Sequence, residues 1–394
     1  MNFILAVYSL QSKESKEMSS VNPSIDEYYD IVIVGAGPAG IGIGILLQKL
    51  GMSYTILEKT SVGASFKKWP EETRFISPSF TGNFFKMPDL NAVTPDTSPA
   101  FDLLTEHPTG PEYAQYLEQV SKFFQLTIET EIEVKNIEDK SGGFILNTSK
   151  GIYGSTFVIW AAGEYQYPKI NSFNGGHLCT HYSEVSSFSD VMGKNSVVIG
   201  GFESGFDAAI NLAKLGKKVT LIDNANYLEL INSDSSYSLS PFTRDRIKEV
   251  LDDIEYYAET YVEEVKFANA KYIVTTDDNQ TFISDDEPMN CTGFDTSLKL
   301  VAELFEFEDG FPLLNGFDES KATENLFLVG PQVKHGNALF CFIYKYRQRF
   351  AIVAEEIAKR TNMPFEIIED ILGEYKYNNF YLKDLSCCDD ECVC

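Results

Sequence analysis

The chain has 394 residues, 44% of them hydrophobic, and a formal net charge of −26. That length accommodates two separately cored domains, and the negative charge argues against nucleic acid and anionic membrane as partners. No apolar run approaches the roughly 18 residues that span a bilayer, so an integral membrane protein is not expected.

Residues 1–28 read as a flexible N-terminal extension. Asn2–Leu10 is apolar, but it lacks the basic start and small-residue cleavage site of a secretory signal, and Met18 is an alternative start. A cytoplasmic location is expected. Next comes Asp30-Ile-Val-Ile-Val-Gly35-Ala-Gly37-Pro38-Ala39-Gly40, then an apolar helix ending Lys49-Leu50-Gly51, then a strand ending in Glu58. A buried strand, a glycine turn, a helix and a second strand with a terminal acid make a dinucleotide-binding βαβ unit. The glycines let backbone approach a pyrophosphate, the helix start supplies N–H donors, and the acid holds a ribose hydroxyl.

Thr60 to Pro99 is rich in Gly, Ser, Pro and aromatic residues and predicts an ordered loop. Pro111 opens a helix whose apolar spacing continues from Tyr113 to Phe124. Strands are expected around Thr127–Val134, Gly143–Asn147 and Thr156–Ala161, the last leading into Ala162-Gly163. The first pattern then returns as Asn195-Ser-Val-Val-Ile-Gly200-Gly201-Phe202-Glu203-Ser204-Gly205, a helix ending Lys214-Leu215-Gly216, and a strand ending in Asp223. In each copy the acid lies 23 residues beyond the first glycine, Gly35 to Glu58 and Gly200 to Asp223. Two units in one register predict two dinucleotides, an FAD and a nicotinamide. Asn290-Cys291-Thr292-Gly293 echoes Ala161–Gly163, Asn325–Gly330 reads as a buried strand, and a long helix is expected from about Ala338 to Lys359. The fold class is therefore α/β, with two Rossmann-like three-layer domains. Residues 29–168 and 290–360 form a discontinuous FAD domain, a nicotinamide domain at 169–289 is inserted into it, and 361–394 is a C-terminal segment.

The second unit departs from the pattern, because Phe202 replaces the middle glycine; a domain that no longer binds nucleotide is the alternative. No basic residue follows Asp223. A carboxylate there accepts from a ribose 2′-OH and repels a 2′-phosphate, which favours NADH over NADPH unless Lys217 or Lys218 reaches round.

Cys179, Cys291 and Cys341 are scattered, and Cys291 and Cys341 read as core thiols. Cys387, Cys388, Cys392 and Cys394 crowd the last eight residues. Such closely spaced thiolates suit Zn, Cu(I) or other thiophilic ions, or pass electrons as a mobile shuttle through Cys387 and Cys388. An acidic tail of reduced thiols without function is the plainer alternative.

The whole arrangement resembles the two-dinucleotide flavoproteins that include thioredoxin reductases, flavin-containing monooxygenases and bacillithiol-disulfide reductases. Trp69-Pro-Glu-Glu-Thr-Arg74-Phe-Ile-Ser77-Pro-Ser-Phe-Thr-Gly-Asn83, Gly200–Ala209 and Tyr344-Lys-Tyr-Arg-Gln-Arg-Phe350 look more closely like bacterial CzcD accessory proteins, found beside cation efflux transporters. The resemblance implies that Gly35, Gly37, Pro38, Ala39, Gly40, Glu58 and Lys59 hold the FAD adenosine and pyrophosphate. It extends the flavin site through Ser65, Phe66, Ser77, Val134, Ala162, Gly163, Gly293, Gly330 and Pro331, and places the nicotinamide on Gly200, Gly201, Glu203, Ser204, Gly205 and Asp223. It makes His335 a weak catalytic candidate beside the flavin and His181 a lesser one. Pro331 follows Gly330 where a ribityl-binding Asp usually stands.

No C-x-x-C or C-x₄-C pair occurs before residue 387, and Ala39 stands where bacillithiol-disulfide reductases carry a cysteine. A monooxygenase-like NAD(P)H oxidoreductase is the favoured expectation, acting on a small molecule beside a cation efflux partner. A reductase of disulfides or thiol-bound metal using the tail is the second. Leu385-Ser-Cys-Cys388 resembles the end of mercuric reductases. A non-catalytic redox or metal sensor is the third.

Overall fold

The computed structural model describes residues 25–80, 88–232 and 234–386. Most of the N-terminal extension lies outside these residues, as do Cys387, Cys388, Cys392 and Cys394 with the metal and shuttle roles expected of them. In chain order the first unit holds β1 (Glu27–Val34), α1 (Pro38–Lys49), β2 (Tyr54–Leu57), α2 (Pro99–Leu103) and α3 (Gly110–Phe123). It continues with β3 (Ile128–Glu129), β4 (Val134–Lys140), β5 (Gly143–Thr148) and β6 (Ile152–Trp160). The second unit holds β7 (Thr180–His181), β8 (Asn195–Ile199), α4 (Glu203–Lys214), β9 (Lys218–Ile222), α5 (Pro241–Ile247) and β10 (Ile254–Tyr257). An antiparallel sheet of β11 (Val262–Ala268), β12 (Lys271–Thr276) and β13 (Thr281–Ser284) leads back to β14 (Met289–Asn290). The chain ends with β15 (Phe307–Glu308), β16 (Phe311–Pro312), β17 (Leu326–Leu328), β18 (Lys334–His335), β19 (Ala338–Leu339), α6 (Ile343–Arg360) and α7 (Phe365–Tyr377).

The first sheet runs β3-β2-β1-β6-β5-β4, and β17 joins it in parallel on β6, Leu326 opposite Val158. A strand from beyond the second unit thus completes the sheet of the first. The second sheet, β10-β9-β8-β14-β7, is parallel throughout. Strands covered on both faces read as continuous apolar runs, and Ile31–Ile33 and Val197–Ile199 are accordingly buried. Alternate residues of β8 feed opposite cores: Val198 packs with Phe206 on one face, Val197 and Ile199 with Val265 on the other.

Local chemistry sets the element ends. Thr109 and Glu112 close a reciprocal capping box at the start of α3. Gly51 and Gly216 take left-handed conformations just past α1 and α4, where an L side chain is strained. Two expected boundaries move. The strand expected over Thr127–Val134 stops at Glu129, because Glu131 turns left-handed (φ 59°). The long helix starts at Ile343 rather than near Ala338: His335 pairs with Ala338 across Gly336-Asn337, a two-residue turn that makes a hairpin instead.

Residues 60–80 are an ordered loop with one short 3₁₀ turn at Phe66–Lys68, and they tie the units together. Buried Asp207 on α4 accepts from Thr73 Oγ1 (2.8 Å), Tyr182 OH (2.8 Å) and Arg246 (2.6 Å). No helix among the described residues is long and apolar enough to cross a membrane.

Candidate functional site

The two glycine turns superimpose in their internal logic. Gly35 (φ 106°) and Gly200 (φ 104°) both need the left-handed region, and a Cβ on either would lie 2.5 Å from the carbonyl oxygen of Ala161 or Cys291. A Cβ on Gly40 would lie 1.9 Å from Gly35 O, and one on Gly205 1.7 Å from Gly200 O. These four glycines let strand, turn and helix close on one another. Gly37 differs: a Cβ there would meet nothing within 4 Å. The first unit therefore keeps open space at the start of α1, where no side chain caps the helix and no acid occupies its first turn. Unpaired N–H groups facing such a gap form an anion site. The arrangement fits the pyrophosphate of a dinucleotide.

Glu58 sits beside this gap. Its carboxylate accepts from Ala36 N (2.9 Å) and Thr60 N (2.8 Å), bracing the turn, and it still lines the cavity. A carboxylate has about four lone-pair sites, so capacity for a ribose hydroxyl remains.

One cavity of about 770 Å³ runs from this turn to the second unit, within the roughly 300–1,000 Å³ of small-molecule sites. Its first end is walled by Gly35, Gly37, Pro38, Ala39, Glu58 and Lys59. Ser65, Phe66, Ser77, Val134, Ala162, Gly163 and Pro331 continue the wall, and Glu203 and Ser204 close the far end. Phe66, Trp69 and Phe75 of the wall cluster with buried Tyr113, contacting ring centroids lying 4.4–5.5 Å apart. Ser77 Oγ donates to Asn91 (2.6 Å), and Arg74 donates to the carbonyls of Glu71 and Thr73. Gly40, Gly330 and Gly293 stand behind the wall; a Cβ on Gly330 would touch Ala39 Cβ at 3.5 Å.

The second turn is more occupied. Phe202 stands at the start of α4 without capping it, and packs on Tyr227 (4.8 Å). Glu203, the first residue of α4, accepts from Ser240 N (2.5 Å) and Thr243 Oγ1 (2.6 Å), and burial raises its carboxyl pKa. Asp223 does not present itself to a ribose, contrary to the sequence-based expectation. It is 1% exposed, accepts from Tyr256 OH (2.7 Å) and Ala225 N (3.1 Å), and lies against Gly201, whose Cβ would be 2.3 Å from the Asp223 carboxyl carbon. The acid serves as an internal brace because Tyr256 on neighbouring β10 reaches it first. Lys217 is committed to the Val191 and Gly193 carbonyls, and Lys218 begins the strand that Asp223 follows. Beyond β9, a second, shallower pocket is lined by Asn224, Ala225, Asn226, Glu229, Leu230, Glu259 and Tyr261, with no cation among them.

The histidines lie apart from the cavity wall. His335 Nε2 bonds Asp318 (2.5 Å), which also pairs with buried Arg349 (2.8 Å), so His335 belongs to a structural ion cluster and not to the cavity. His181 bonds Ser183 and the Gly293 carbonyl, and burial lowers its pKa. Among the wall residues that the sequence reading did not place at the site are Glu164 and Cys341. Glu164, directly after Gly163, faces the cavity with a carboxyl pKa raised by burial; its position after the glycine was the available signal. Cys341, expected in the core, is exposed and lines the cavity. Cys291 is buried, as a core thiol would be.

Comparison with known proteins agrees with this architecture. The family model for pyridine nucleotide-disulphide oxidoreductases matches residues 32–330. The chain is 24% identical over 335 residues to "Bacilliredoxin reductase Bdr" of Bacillus subtilis, covering 84% of this chain and 98% of that protein. It is 27% identical over 206 residues to "Uncharacterized oxidoreductase CzcO" of Bacillus velezensis, covering 50% of this chain and 55% of that one. The fold matches a flavin-containing monooxygenase from Stenotrophomonas maltophilia with a TM-score of 0.63 at 17% identity, over 85% of this chain and 99% of the other. The chain belongs to the pyridine nucleotide-disulphide oxidoreductase family and is an FAD-dependent oxidoreductase of that family.

Proposed function

We propose that the chain holds FAD on the first turn and takes electrons from a nicotinamide on the second, reducing a small acceptor in the space between. The observation that carries this reading is one cavity walled at one end by the first glycine turn and at the other by Glu203, Ser204 and Asp207 of α4, the helix that the second turn starts. FAD, when bound, supplies a two-electron centre that a nicotinamide reduces. The chain's own part is to hold, orient and exclude water. The uncapped start of α1 takes the pyrophosphate, Glu58 the ribose, and Phe66, Trp69 and Trp160 give the cavity dry walls. On this reading residues 29–168 and 290–360 form the flavin domain and 169–289 the nicotinamide domain.

NADH is the proposed donor, on grounds that differ from the sequence argument. Past β9, where a Rossmann unit meets the adenosine ribose, Glu229 and Glu259 line the pocket without a cation. They repel a 2′-phosphate. Monooxygenase-like use of oxygen is the first acceptor chemistry to test, supported by the fold of the Stenotrophomonas relative. A cytoplasmic location, where soluble nicotinamide is supplied, is proposed with it, and work beside a cation efflux transporter is proposed from resemblance. Purified protein should be yellow, and anaerobic stopped-flow mixing with NADH should bleach the flavin faster than NADPH does. A colourless protein that takes up no added FAD would end the proposal.

A further inference from the structure

Arg74 lines the cavity where the two units meet. Its backbone bridges to Thr109 at the start of α3, which holds it on the first unit. Thr73, just before it, bonds Asp207 of α4, and Phe75, just after it, belongs to the aromatic cluster of the wall. The residue therefore stands between a polar hub and a face of rings.

Only part of its guanidinium is engaged. The group has five N–H donors in a planar fork. Nη1 donates to the carbonyls of Glu71 (2.7 Å) and Thr73 (3.0 Å), which fixes the plane. Nε and Nη2, the two nitrogens of the other edge, have no hydrogen-bond partner among the described residues, and no described carboxylate pairs with the charge. Acids are not scarce: the chain carries 58 against 32 basic residues, and Arg246, Arg349 and Arg360 each pair with one.

We propose that Arg74 binds the carboxylate of a small organic acid whose apolar body lies on Phe66, Trp69 and Phe75. The free edge of a guanidinium matches the two oxygens of a carboxylate, a fit that an ammonium cannot make. The acids of the wall leave room for this anion: Arg246 neutralises Asp207, and burial raises the carboxyl pKa of Glu164 and Glu203. The pyrophosphate of the nicotinamide is the other anion that enters this end of the cavity, and the test separates the two. That the bound acid is the electron acceptor rests on the function proposed above; the binding site does not.

The probe is sodium benzoate, titrated into the full-length protein with its flavin and followed by calorimetry and by the visible flavin spectrum. Benzamide, of the same shape without the charge, is the control. Benzoate should bind at least about tenfold more tightly than benzamide, and Arg74→Met should weaken benzoate by about ten- to a hundredfold, the scale of a hydrogen bond to a charged group. Arg74→Lys, which keeps the charge and loses the fork, should fall between. Circular dichroism checks the fold of both variants, and the benzoate–benzamide contrast needs no variant at all. Benzoate binding should also persist with saturating NAD⁺. Equal binding of the two probes, no binding of either, or benzoate affinity unmoved in Arg74→Met overturns the proposal. Loss of benzoate binding in NAD⁺ assigns the arginine to the nicotinamide phosphates and overturns it as well. If NADH bleaches the flavin but benzoate and benzamide bind alike, this inference fails alone. If benzoate binds through Arg74 while NADH leaves the flavin oxidised, the carboxylate site stands and the proposed function falls.

Discussion

The two glycine turns share a frame and differ in what they leave free. In the first, Gly37 faces empty space, α1 starts without an acid, and Glu58 stays open to the cavity. In the second, Phe202 and Glu203 occupy the helix start, and Asp223 is sealed beneath Tyr256. The same strand–turn–helix skeleton thus makes one open cradle and one partly filled one, which on the proposed reading take the resident flavin and the passing nicotinamide. Steric closure fixes the skeleton; the side chains around it set how tightly it binds.

The largest effect should separate the skeleton from its contents. Gly40→Val places side-chain atoms inside Gly35 O, so flavin content after purification should fall to near zero. The equivalent Gly205→Val should leave the protein yellow and abolish bleaching by NADH. If both variants lost FAD equally, the division of labour would be wrong. Gly37→Leu comes next. It fits the protein without a clash, so thermal stability should hold while FAD affinity drops about a hundredfold, the equivalent of roughly 2.7 kcal/mol, by isothermal titration.

Asp223→Asn tests the sealed acid. Losing a charged acceptor for Tyr256 OH and Ala225 N should lower stability by about 1–3 kcal/mol in urea melts. It should leave the NADH-to-NADPH preference unmoved, whereas Glu229→Arg should shift that preference toward NADPH. A change in cofactor choice from Asp223→Asn alone would restore the ribose role.

The smallest effect concerns Glu203. Its pKa is raised, so the group is neutral below the raised value and ionises as pH climbs above the usual carboxylate range. The new charge at the start of α4 should weaken nucleotide binding by about two- to fivefold. Titrating NADH affinity against pH should show this loss in the wild type and a flat line in Glu203→Gln.

Much of this was readable in the chain. The paired glycines, the helix stops at Gly51 and Gly216 and the acid at Glu58 are local requirements of a βα turn, and a turn writes its needs into a few adjacent residues. The strand β17 was readable too, because a buried strand declares itself by an unbroken apolar run; its pairing with β6 is seen only in the fold. Other features depend on neighbours distant in sequence. Asp223 looked like a ribose ligand until Tyr256, 33 residues on, took its oxygen. His335 looked free until Asp318 and Arg349 claimed it. Cys341 looked like a core residue, since a thiol's sequence neighbours do not reveal which cavity it borders.

The sequence by itself determined the α/β fold, the order of its elements and the positions of both glycine turns. Periodicity and glycine placement act over short stretches, so they survive reading in one dimension. Tertiary structure alone decided which polar groups remained available. A carboxylate, imidazole or thiol becomes a brace or a reactive group according to whether a partner from elsewhere in the chain reaches it before a ligand can.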